Sequence, residues 1–136
     1  MRQSNRGGDL MTFSRRVFAA AGIWGLLIVL PLYFLFDRIG QQYPPAITHP
    51  EFFYGFVGVT VAWQLAFLAI ASDPSRLRPL MLPSVVEKLG YVITLVVLYA
   101  QSRLTIGQLT IGVPDLGLGV LFIIAFFRTA PTPTAG

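Results

Sequence analysis

The chain contains no cysteine, one histidine and only six acidic residues in 136 positions. Without cysteine there can be no disulfide framework, thiolate metal site, iron–sulfur cluster or thiol redox chemistry. A single histidine, His49, excludes bis-histidine haem ligation within one chain. Charged residues of both signs are scarce as well, 12% against 54% hydrophobic, where a soluble domain carries about 25% charged residues. That balance is the composition of an integral membrane protein. At this length no soluble catalytic domain fits beside the apolar segments, so any chemistry falls to side chains on membrane helices or their short connections. Also missing are a glycine-rich phosphate loop, a His-Glu-x-x-His metal motif and a serine–histidine pairing with a nucleophile context.

Long uncharged runs are present instead. Val17 to Phe36 and Phe52 to Ser72 hold twenty and twenty-one residues without a charge, and at about 1.5 Å rise per residue each reaches across a hydrocarbon core of about 30 Å. A third span requires 84–102, with Glu87 and Lys88 inside its first turn, and a fourth requires 111–128, with Asp115 and Arg128 near its two interfaces. The expected fold is therefore all-α, a four-helix transmembrane bundle over residues 13–128. Lys and Arg fall eight on the side of the two termini and two, Arg38 and Arg103, on the other. Positive flanks stay cytoplasmic, which puts both termini in the cytoplasm. The formal net charge of +4 fits an anionic inner leaflet better than nucleic acid, and no nucleic acid partner is expected.

The segment Ser14-Arg15-Arg16-Val17-Phe18 resembles an export signal, but the apolar run is long, lacks a small-x-small cleavage site and is followed by three more spans, so an uncleaved anchor is expected. Residues 1–12 and 129–136 read as disordered tails. The connection from Asp37 to Pro50 is expected to be extended around Tyr43-Pro44-Pro45, with Thr48-His49-Pro50-Glu51 as a capping box for the second helix. Asp73-Pro74 reads as the start of a short interfacial helix. Leu104-Thr105-Ile106-Gly107 recurs as Leu109-Thr110-Ile111-Gly112, an ordered turn rather than a repeat architecture.

The polar residues within the spans are few. Trp63 and Gln64 fall mid-way along the second helix with Thr60 on the same face, and Gln64 cannot cheaply face lipid. Ala21 and Gly25, and Gly58, Ala62 and Ala66, are small residues suited to close helix packing. On the third helix Glu87, Tyr91, Thr94, Leu98 and Gln101 trace a stripe at three- and four-residue spacing. That stripe either lines a pocket for a lipophilic molecule together with Gln64 and Trp63, or serves as interhelical glue. Ser84-Val85-Val86-Glu87 also reads as a capping box, with Arg76 or Arg78 as countercharge to Glu87 and with Asp73 nearby. At the opposite ends of the helices Asp37, His49, Glu51, Tyr54, Arg103 and Asp115 are expected to gather, with Glu51 and Arg103 as ion-pairing groups; they lack metal-ligand spacing, and no metal or cofactor is expected. No carboxylate is expected in the middle of any span, which argues against proton-coupled export.

The residues His49-Pro50-Glu51-Phe52-Phe53-Tyr54-Gly55-Phe56, Ala62-Trp63-Gln64, Asp73-Pro74-Ser75-Arg76-Leu77-Arg78-Pro79 and Glu87-Lys88, over roughly 47–103, resemble small bacterial four-span membrane proteins. The resemblance implies a bacterial inner membrane and the four-span fold, and it implies no activity. The primary functional reading is a non-enzymatic accessory or scaffold bundle with another membrane protein as partner; the alternative is a site that binds or transforms a lipophilic small molecule between the helices. Membrane lipids are partners in both. A dry, filled core would support the first reading, and an internal cavity of at least ~300 Å³ lined by Gln64, Glu87, Tyr91 and Thr94 would support the second.

Overall fold

The structure, a computed structural model, describes residues 3–43 and 46–130, with side chains from Met11 onward. The chain is an all-α bundle, with no strand among the described residues. Its elements are α1 (Gln3–Val29), α2 (Phe36–Gln42), α3 (Pro50–Ser72), α4 (Met81–Ala100), α5 (Ile106–Leu109) and α6 (Val113–Arg128), joined in part by short 3₁₀ turns. Among the described residues, four segments are long and apolar enough to cross a membrane: Met11–Phe34, Pro50–Ser72, Arg78–Ala100 and Ile106–Arg128. The protein is thus a multi-pass membrane protein.

Several boundaries differ from those the sequence suggests. Helix α1 starts at Gln3 rather than after an unstructured stretch of twelve residues. Once the apolar segment is helical, each further residue adds a hydrogen bond without a new nucleation cost, and the Thr12 hydroxyl donates to the Gly8 carbonyl at 2.8 Å. Pro31 has no N–H to continue the ladder, so α1 tightens into a 3₁₀ turn, Leu30–Phe34. The chain then re-enters helix as α2, with Asp37 in its first turn, where an extended connection was expected. Pro44 and Pro45 lie outside the described residues. At α3 the expected Thr48 capping box is replaced by His49 as N-cap and Pro50 at the first helical position, with no side-chain cap bond.

After α3, Asp73 Oδ1 accepts from the Arg76 backbone N–H at 3.2 Å and turns the chain. No interfacial α-helix forms there; a 3₁₀ turn, Arg78–Leu80, runs straight into α4. Helix α4 ends where Ser102 takes a left-handed φ of 58° and Arg103 N–H donates to the Leu98 carbonyl at 2.9 Å. The local repeat is a helix start: Thr105 and Gln108 form a capping box at α5, which leads into α6 through a 3₁₀ turn. At the far end the expected tail begins inside the bundle. Thr129 is buried, its hydroxyl donates to the Ala125 carbonyl at 2.8 Å, and Ser14 Oγ lies 2.8 Å from the same hydroxyl. This hydrogen-bonded pair sets the start of the first span beside the end of the last. Residues 131–136 lie outside the described residues.

The packed core occupies the half of the bundle nearest the termini. Phe18 of α1 stacks on Phe122 of α6 with ring centroids 4.2 Å apart, and Phe67 of α3 meets Phe122 edge-on at 5.0 Å. All three rings are fully buried, together with Ile70, Met81 and Ala125. Arg78 closes this end, its guanidinium 3.8 Å above the Phe126 ring and its Nε–H on the Phe126 carbonyl at 3.2 Å. In the other half the helices pair off. Aromatic contacts among Tyr33, Phe36, Phe53 and Tyr54 hold α1 and α2 to the start of α3, and α4 packs along α6, whereas α3 and α4 meet at few points. A gap remains between the two pairs.

Candidate functional site

The gap is a cavity of about 640 Å³. Its apolar wall comes from α1 and α3, with Trp24, Ile28, Phe56 and Val59 prominent. Thr60, Trp63 and Gln64 continue the α3 wall toward the core. The opposite wall is polar: Glu87, Lys88 and Tyr91 of α4 face Asp115 of α6.

Close helix approach builds both walls. On the α1–α3 side, Gly22 and Gly25 let the helices touch: a Cβ at Gly22 would lie 2.9 Å from the Gln64 backbone carbonyl, and one at Gly25 would collide with the Gln64 side-chain amide. Gln64 is 1% exposed. Its Nε2 donates to the Thr60 carbonyl at 3.1 Å, which fixes which end of the amide is oxygen, and the buried Oε1 has no hydrogen-bond partner. On the α4–α6 side, Gly119 admits the Leu89 side chain, which a Cβ would meet at 2.7 Å. That proximity lets the Lys88 ammonium reach Asp115 Oδ1 at 2.7 Å.

Lys88 is the centre of the polar wall. It is 6% exposed, with Nζ 3.3 Å from Glu87 Oε2, 3.4 Å from Glu87 Oε1 as a hydrogen bond, and 5.4 Å from the centre of the Phe67 ring. Glu87 Oε2 is within ion-pairing distance yet out of line for a hydrogen bond, and it is buried without one. One ammonium therefore answers two carboxyl groups, and the shorter contact goes to Asp115.

The depth of this triad overturns the expectation of no mid-span carboxylate. Lys88 stands ten residues after Arg78 and twelve before Ala100, and Asp115 nine after Ile106 and thirteen before Arg128. Glu87 is not at a helix start. Because α4 begins at Met81, Ser84 already lies within the helix, where its hydroxyl donates back to the Leu80 carbonyl at 2.7 Å. The expected Ser84–Glu87 cap does not form, and the expected partner Arg78 is engaged with Phe126 while Arg76 is exposed. Asp115 likewise leaves the group expected near the helix ends. Glu51 pairs with His49 at 3.2 Å in an exposed position; Arg103 joins none of the ion pairs among the described residues. No three metal-ligating side chains converge among them.

Of the residues expected to line a pocket, the structure brings Trp63, Gln64, Glu87 and Tyr91 to one cavity and leaves Thr94 outside it. Thr94 is exposed, with its hydroxyl on the Gly90 carbonyl at 2.9 Å. The buried stripe of α4 runs through Met81, Ser84, Lys88 and Leu95, one residue and so about 100° round from the stripe drawn through Glu87 and Thr94. Lys88, Asp115 and Trp24 are among the cavity residues that sequence reasoning missed. Comparison with protein-family models, with curated proteins and with solved structures gives no match to this chain.

Proposed function

We propose that the protein binds a lipophilic small molecule in the cavity between its two helix pairs. The observation that carries this reading is the cavity itself, about 640 Å³, well above what packing defects leave in a structural bundle and within the ~300–1,000 Å³ range of ligand sites. Its lining has the make-up of such a site, mostly apolar and aromatic with a few convergent polar groups. Ionisable side chains at mid-span add weight, since they are costly to insert and mark ligand or ion sites in membrane proteins. A scaffold bundle has no use for such a cavity and is better served by a filled core. The membrane we infer is the inner membrane of a bacterium, from the resemblance over roughly 47–103, with both termini cytoplasmic because, with Lys88 at mid-span, Lys and Arg still fall seven to two in favour of the terminal side.

The test is retention. Protein purified from native membranes and examined by native mass spectrometry is expected to carry one lipophilic molecule per chain after the annular lipid is stripped. Leu118→Trp, which fills the cavity from α6, is expected to abolish that adduct while leaving the bundle folded. A wild-type protein that carries none, and takes up none when lipid extract is added back, would sink the reading.

A further inference from the structure

The polar atoms left over in the cavity share one chemical character. Gln64 Oε1, on a side chain 1% exposed, and Glu87 Oε2 are both buried and both without a hydrogen-bond partner. Each is an acceptor. The one cation lining the cavity among the described residues, the Lys88 ammonium, lies 2.7 Å from Asp115 Oδ1 and farther from both Glu87 oxygens, 3.3 Å from Oε2 without hydrogen-bond alignment and 3.4 Å from Oε1. With two carboxyl groups against one ammonium at mid-span, the site is short of positive charge, and an uncompensated carboxylate in hydrocarbon is costly. The missing partner must bring positive charge or hydrogen-bond donors. An anionic amphiphile would meet two carboxyl groups against one ammonium that both already engage.

The opposite wall says what the rest of that partner looks like. Trp24, Trp63 and Phe56 present aromatic surface, which accepts apolar bodies and also attracts cations through the ring faces. We propose that the cavity takes a lipophilic monocation, of the class of hydrophobic amines and quaternary ammonium compounds, with its charge beside Glu87 and its body against the two tryptophans. This deepens the ligand-site reading and rests on it.

The chain supplies its own reporter, because it has two tryptophans and both line the cavity. The full-length protein in phosphatidylcholine nanodiscs is titrated with tetraphenylphosphonium and with tetraphenylborate, ions of nearly the same size and shape and of opposite sign. Tryptophan emission is read against discs without protein. The expected result is a saturable change with the phosphonium and an affinity at least tenfold weaker for the borate. Glu87→Gln is expected to weaken phosphonium binding at least tenfold, and Thr94→Val to leave it within twofold. Saturable binding of both ions with equal affinity, or tighter binding of the borate, would overturn the charge assignment while leaving the cavity a ligand site. The same holds for an unchanged phosphonium affinity in Glu87→Gln, which would mean that a proton already satisfies that carboxyl. No saturable signal from either ion, nor from neutral tetraphenylmethane, would overturn both readings. Should Glu87→Gln fail to fold, the discrimination between the two ions by the wild-type protein still decides.

Discussion

The Lys88 ammonium lies 2.7 Å from the Asp115 carboxylate and ties α4 to α6 at the middle of both spans. A buried pair of this kind is weak evidence of net stabilisation, but removing one member strands the other in a medium that cannot solvate it, at a cost of about 3–5 kcal/mol. Lys88→Met is therefore expected to lower the unfolding midpoint in detergent sharply, since it strands two carboxyl groups, and Asp115→Asn less so, since the amide still accepts from the ammonium. The coupling between the two positions, measured in a double-mutant cycle, is expected to reach at least ~1 kcal/mol. Additive single effects would mean that the contact does not join the helices energetically.

The contact of α1 with α3 makes a prediction about two neighbouring glycines. The three atoms nearest a Cβ at Gly25 all belong to the Gln64 side chain, which can swing away, whereas a Cβ at Gly22 meets the Gln64 backbone carbonyl at 2.9 Å and the Leu68 side chain at 2.8 Å. Gly25→Ala is expected to destabilise the bundle by about 1–3 kcal/mol, the range of overpacking, and Gln64→Ala in the same chain to restore most of it. Gly22→Ala is expected to cost as much or more without rescue, because backbone cannot be truncated. Steric unfolding assays on the four proteins distinguish the two; equal rescue at both positions would refute the contact geometry.

Much of the architecture is legible in the residues because length and charge dictate it. Twenty uncharged residues after Arg16 leave α1 little choice. The cavity was half legible. Gln64 and Trp63 announce themselves as polar and amphipathic groups in the centre of an uncharged run, and Tyr91 lies one turn from Glu87. The triad was missed for a definite reason: a span sought as an unbroken uncharged run pushes any charge to its edge. In this chain the third span is two uncharged stretches, Pro79 to Val86 and Leu89 to Ser102, divided by Glu87-Lys88, and the fourth is Leu104 to Pro114 and Leu116 to Phe127 divided by Asp115. Two interrupted spans, one interruption holding the cation Lys88 and the other the carboxylate Asp115, form the signal that these helices pair at mid-depth. The void itself has no signature in the residues, since it depends on α3 and α4 meeting at few points, a property of packing.

Thr94 provides a check on the helix rotation. On the stripe drawn from sequence it faces the bundle with Tyr91; in the structure it is exposed and bonded to its own backbone, while Tyr91 lines the cavity. Thr94→Leu is expected to leave both the melting temperature and the retained lipophile unchanged, as a leucine facing lipid is at home there. Tyr91→Ala is expected to reduce retention, because it strips a ring from the polar wall. Loss of the lipophile in Thr94→Leu would show that α4 is turned by about one residue from its place in the structure.

Orientation in the membrane is the last relationship that the fold makes measurable. The Ser14–Thr129 contact puts both ends of the span set on one face of the bundle, so one labelled position fixes the direction of all four helices. The sequence holds no cysteine, and single cysteines can be added without background. Gln41 in α2, Arg76 in the turn before α4 and Gly107 at the very start of the fourth span are exposed, the first and last on the face away from the termini and Arg76 on the face with them. Lys and Arg gather on the terminal face, and the orientation proposed above, with that face in the cytoplasm, follows from the cost of moving them across the bilayer during insertion. In intact cells an impermeant maleimide is therefore expected to label Gln41→Cys and Gly107→Cys, and Arg76→Cys only after the membrane is permeabilised. The reverse pattern would invert the whole bundle and turn the charge-poor end, where the two helix pairs separate, toward the cytoplasm.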